Sequence, residues 1–189
     1  MHRYVEAMER KLDIAAYHLA VLRELLPFAA PDDRNLPPVA LQAHFEACGR
    51  AVVAMLDQLA SGVASVAPSM PPVHYATPKS VIQALTDSVQ PTALELKELI
   101  EGLNDDRRIN DLRDVRNRST HRFDEKTYLH GAGWTVDPPQ HVPDGVLPYE
   151  GSRRLSEYLQ VMVEYGQEVL TTIPEVEKLA DSLAADLEQ

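Results

Sequence analysis

The sequence predicts an all-α fold, an antiparallel up-and-down bundle of about five to six helices. Three observations predict it. Apolar residues recur at helical spacing through several long windows. Prolines cluster between most of those windows, where they stop or start helices. The chain has 189 residues, 44% hydrophobic and 25% charged, which suits one soluble domain long enough to bury a core. The expected organisation is a single domain over 1–189, with its core at about 1–170 and an acidic C-terminal helix at 174–189.

Helix one is expected over Tyr4 to Leu26, where Val5, Met8, Leu12, Ala15, Ala16, Leu19, Leu22 and Leu26 form a stripe that Pro27 ends. The stretch from Pro31 to Pro38 reads as a turn, and Pro37 and Pro38 suit the first turn of the next helix. Helix two follows over Val39 to Leu59, and its small residues Ala47, Gly49, Ala51 and Ala54 permit close helix contact. Four prolines mark 67–78 as a loop. Helix three begins near Lys79, meets Pro91 and resumes through Leu103, so a kink or break is expected at the proline. Helix four is expected over Asp105 to Ser119, with Ile109, Leu112 and Val115 as its seam.

From Phe123 to Glu150 prolines and glycines make a long irregular connection, in which 127–136 could form a short hairpin. Ser152 is placed to cap helix five, which runs through Leu170. Pro174 then opens a last helix carrying Val176, Leu179, Leu183 and Leu187. No internal repeat or low-complexity segment is present.

Charge narrows the function classes. A formal net charge of −11 opposes sequence-independent phosphate binding over the surface as a whole. Residues 107–126, however, hold seven of the eighteen Lys and Arg and only four of the twenty-nine acids, so this window is locally basic. Its bland explanation is a solvated helix face, with Asp114 four residues before Arg118. The N-terminal residues carry charges where a secretory signal needs an apolar core, and no window reaches the eighteen or so apolar residues of a membrane span. A cytoplasmic location and no membrane association are expected. The lone Cys48 rules out an intramolecular disulfide and reads as a buried, inert thiol.

The chemistry is concentrated in Arg116-Asn117-Arg118-Ser119-Thr120-His121. A histidine exchanges protons near neutral pH, and an arginine stays cationic and presents a planar fork to phosphate oxygens. Together they suit phosphoryl chemistry without a metal. On RNA, His121 could assist attack of the 2'-hydroxyl or protonate the leaving oxygen, while Arg116 stabilises the charged phosphate. Arg113, Arg118 and Arg122 could guide the RNA backbone. Asn117 and His121 share a helix face, whereas Arg116 and His121 lie about 140° apart on an ideal helix. For both to act on one phosphate, the helix must end or bend near Ser119, or the site must combine two chains. The competing explanation pairs Arg116 with an acid and leaves His121 at a helix C-terminus, where a cation is favoured.

This run, late in an all-helical chain, resembles the Arg-x(4 to 6)-His motif of the HEPN superfamily, in which a polar residue, often Asn, follows the Arg. The helix His44 to Asp57 also looks like the second helix of some such domains. The resemblance spans about residues 1–170, with its specificity in the six-residue motif. It implies a metal-independent endoribonuclease without cofactors, acting as a homodimer whose two motifs share one cleft. Carried over by position, Arg116 and His121 become the catalytic pair and Asn117 the positioning residue. Many members are toxins of toxin-antitoxin or antiphage systems, so an antitoxin partner protein is implied. One branch, paired with a nucleotidyltransferase antitoxin, has Arg-x4-His-x-Tyr with the Tyr modified. Here that position is Phe123, which has no hydroxyl to modify.

Two other classes compete. Some HEPN members keep the fold as non-catalytic RNA- or nucleotide-binding or dimerisation modules. A metal-dependent bundle enzyme is disfavoured, because His18, His44, His74, His130 and His141 are scattered singly and no His-x3-His or Glu-x-x-His spacing occurs. His130 and His141 flank Asp137 in the long connection. Trp134 could stack on a base, although an apolar plug beneath the connection is the simpler role.

Overall fold

Helix α1, His2–Leu25, keeps the apolar stripe that the sequence predicts, with Met8, Ala15, Leu19 and Leu22 almost wholly buried and Ala16 facing solvent. The computed structural model describes residues 1–26, 39–67, 70–110, 112–113 and 152–187. Among these every regular element is helical: α2 (Val39–Val66), α3 (Pro78–Thr86), α4 (Pro91–Asn104) and α5 (Ser152–Leu187) follow α1, with one 3-10 turn at Val73–Tyr75. Residues 107–110 and 112–113 are also helical. The chain is thus all-α, with helix packed on helix. The expected hairpin at 127–136 and the connection 123–150, with Trp134, His130 and His141, lie outside the described residues. By its internal contacts the chain divides into two compact units, one of Met1–Lys11, Ala54–Asp106 and Gly166–Gln189, the other of Leu12–Val53 and Arg107–Tyr165.

In the first unit, α2 runs seven residues beyond the Leu59 at which the sequence suggests it ends. Ser61-Gly62 looks like a stop signal, yet Gly62 is buried in a helix contact. A Cβ there would lie 2.6 Å from Met1 Sδ and 3.3 Å from Tyr4 Cβ. Val63 is fully buried one residue on, so packing overrides the local glycine preference. Ser61 Oγ donates to the carbonyl of Val73 at 3.2 Å and ties the 3-10 turn to α2.

Helix α3 opens with a reciprocal capping box. The Ser80 amide donates to Thr77 Oγ1 at 3.2 Å and the Thr77 amide donates to Ser80 Oγ at 2.9 Å. Pro78 occupies the first turn, where its missing N–H leaves nothing unpaired. Pro91 does the same for α4, and the expected kink or break is a full break over Asp87 to Gln90. Val81 and Leu85 of α3, and Ala93, Leu96 and Ile100 of α4, are buried, and the two helices pack against each other. Thr92 Oγ1 donates to Asp186 Oδ2 at 3.1 Å, fixing the start of α4 to the end of α5.

Two expected helices prove to be one. Pro174 does not open a last helix but lies inside α5, and Ser152 is its first residue, not a cap before it. The buried positions Val169, Ile173, Val176, Ala180 and Leu183 alternate spacings of four and three straight across the proline. Pro174 itself faces solvent, where water can satisfy the carbonyl its ring strands. The core phase therefore outweighs the local break.

In the second unit the sharpest constraint is at Gly49 of α2. A Cβ there would lie 3.0 Å from Leu112 Cδ1, and Leu112 is 2% exposed. Gly49 thus lets the 107–113 segment lie close against α2. The same unit stacks Phe45 of α2 on Tyr158 of α5, ring centroids 6.3 Å apart, and links Arg23 to Gln160 at 3.0 Å. Gly49→Val should lower the free energy of unfolding by about 1–3 kcal/mol through overpacking, read by urea denaturation. Gly49→Ala should cost less, because better helix propensity offsets one crowded methyl. A Gly49→Val protein as stable as the wild type would contradict this close approach.

Candidate functional site

The chain enters the basic motif from residues 107–113, and their apolar side fixes their placement. Ile109 is fully buried and Leu112 nearly so, against Gly49. On its other side the segment turns Arg107 and Asn110 to solvent. Helicity starts at Arg107, after the bend at Asp105, slightly later than the sequence suggests.

Two arginines of the basic window have described placements that bear on its role. The Arg108 guanidinium lies 5.0 Å from the ring centroid of Tyr165, a residue 1% exposed on α5. Such a cation over an aromatic face contributes about 0.5–2 kcal/mol, so Arg108 anchors the segment instead of simply solvating it. Arg113 is half-buried and its Nη1 donates to Asn110 Oδ1 at 3.3 Å. The other predicted site residues, Arg116, Asn117, Arg118, His121 and Arg122, lie outside the described residues, as does Phe123. Val115 of the predicted seam lies outside as well.

Cys48 neighbours Gly49 on α2 and is fully buried. Burial pushes its thiol up to about 12, far from thiolate chemistry at neutral pH, as a core sulfur should be.

The structure also brings together a pair that the sequence reading left apart. His18 of α1 and His44 of α2 are not scattered singly, since their Nδ1 atoms lie 2.8 Å apart. The rings are tilted by 51° with centroids 5.0 Å apart, and Tyr17 packs edge-on against His18 at 5.3 Å. Both imidazoles are half-buried. At this distance one Nδ1 donates and the other accepts, so the pair holds one proton between the two nitrogens. Desolvation by burial, and then the nearness of His44, hold His18 below the usual histidine range. No spacing rule exposes such a pair, because the two residues lie on different helices 26 positions apart. One signal was available: both stand equally far from Pro31, in the turn predicted between those helices. Among the described residues no three of His, Cys, Asp or Glu converge as metal ligands, and no helix is long and apolar enough to cross a membrane.

No family model, no curated protein and no solved structure matches the chain.

The His18 environment has a pH consequence. Its folded value is depressed, so between that value and about 6.5 the unfolded chain binds more protons than the native one. The pair's contribution is fully present above about pH 6.5 and is lost as pH falls through that range. His18→Gln should flatten the stability difference between pH 7.5 and pH 5.5 relative to the wild type in urea denaturation. An identical pH slope in the two proteins would contradict the assignment.

Proposed function

We propose that this chain is a metal-independent endoribonuclease of the HEPN type, acting on RNA as a toxin or antiphage-defence effector. The observation that carries the reading is the Arg116-Asn117-Arg118-Ser119-Thr120-His121 run in an all-helical chain. Support comes from the residues just before the run, which are helical and held by Leu112 against Gly49 and by Arg108 over Tyr165. A catalytic run needs such a rigid support, because misplacing a reacting group by about 1 Å can cost 100-fold in rate.

In this reading the RNA 2'-hydroxyl attacks the adjacent phosphorus, forming the new P–O2' bond as the P–O5' bond breaks. His121 takes the hydroxyl proton or delivers one to the departing 5'-oxygen. Arg116 balances the charge that develops on the phosphoryl oxygens. Asn117 orients the scissile phosphate, and Arg113, Arg118 and Arg122 follow the backbone, so binding weakens with added salt. The acting species is a homodimer, in which an Arg116 and a His121 that diverge on one ideal helix meet across a shared cleft. A cytoplasmic location and an antitoxin partner protein belong to the same proposal.

The decisive variants are His121→Ala and Arg116→Ala. Each should reduce cleavage of single-stranded RNA by at least about 100-fold and relieve growth arrest on expression. Melting temperature should stay within a few degrees of wild type. Undiminished cleavage by His121→Ala would overturn the proposal. A wild-type protein that binds RNA through the arginines without turnover would instead identify a non-catalytic binding module.

A further inference from the structure

We propose that His18 and His44 form a two-imidazole binding site for a borderline divalent metal ion, Cu(II) or Ni(II), independent of the ribonuclease reading. The proposal stands on the meeting of two nitrogens of the same kind from two helices. The Nδ1 atoms of His18 and His44 approach to 2.8 Å, and the rings are carried on α1 and α2. An imidazole–metal bond is about 2.0 Å long, so an ion bonded to both nitrogens subtends them at about 90°. A tetrahedral centre would spread them to about 3.3 Å, which favours the tetragonal preference of Cu(II) and Ni(II) over that of Zn(II).

The exchange is simple to balance. The neutral pair shares one Nδ1 proton, and an incoming cation displaces that proton to solvent while accepting both lone pairs. Both residues are only half-buried, so water would supply the remaining coordination positions. Binding requires each ring to turn so that its Nδ1 lone pair leaves the N···N line and points at the ion. The bound ion would replace a shared proton as the link between α1 and α2.

The test uses the full chain stripped with chelator and carrying His2→Ala, because His2 beside the N-terminal amine offers a competing copper chelate. Calorimetric titration with Cu(II) and Ni(II) at pH 7.5 should give one equivalent per chain. Affinity should fall at least tenfold with His18→Ala or with His44→Ala, and should weaken at pH 5.5. His74→Ala, at an exposed histidine outside the pair, should change nothing. The electron paramagnetic resonance spectrum of the one-to-one copper complex should show coupling to two imidazole nitrogens, which needs no variant of the pair to fold. Binding unaffected by His18→Ala and His44→Ala, coupling to fewer than two imidazoles, or no stoichiometric binding would each overturn the site and leave a shared proton only.

Discussion

The close approach of Leu112 to Gly49 is the contact on which the site's scaffold depends. Helix α2 buries one continuous face, with Cys48, Val52, Met55, Leu56 and Leu59 all at 1% exposure or less. A segment comes closest to such a helix where a side chain is missing. Gly49 provides that place, and Leu112 fills it. From there the apolar seam of Ile109 and Leu112 fixes the rotation of the segment, and Arg108 over Tyr165 fixes its edge.

Electrostatics then acts on a scaffold already in place. The chain as a whole is acidic, and a local excess of arginine lies in the window 107–126, which begins with this anchored segment. Not all of that excess is free for a ligand. Arg108 is committed to the ring of Tyr165. The cationic surface that a nucleic acid would meet is therefore smaller than a count of the window suggests. The His18–His44 pair works by a different rule, since its imidazoles are drawn together by helix packing and share one proton.

Much of the helical order was legible in the sequence because the governing signals are local. The stripe of α1 and the prolines that open α3 and α4 specify their helices with little tertiary help. Two boundaries were not legible, and for one reason. Ser61-Gly62 and Pro174 are local stop signals that long-range packing overrules, the first through Met1 and Tyr4, the second through the buried stripe from Val169 to Leu183. The histidine pair was hidden because it exists only when two helices are side by side. The motif from Arg116 to His121 was legible as chemistry, while its convergence depends on how the chain continues beyond Arg113, outside the described residues.

Whether that chemistry is ribonuclease chemistry is decided most directly by the ends it leaves on RNA. The measurement is cleavage of a defined single-stranded RNA by the full-length protein in excess chelator, with the termini identified by mass spectrometry. Internal 2'-hydroxyl attack aided by His121 and Arg116 predicts 2',3'-cyclic phosphate and 5'-hydroxyl ends at an undiminished rate. Cleavage that stops with the chelator, ends bearing a 5'-phosphate, or RNA left intact would contradict it.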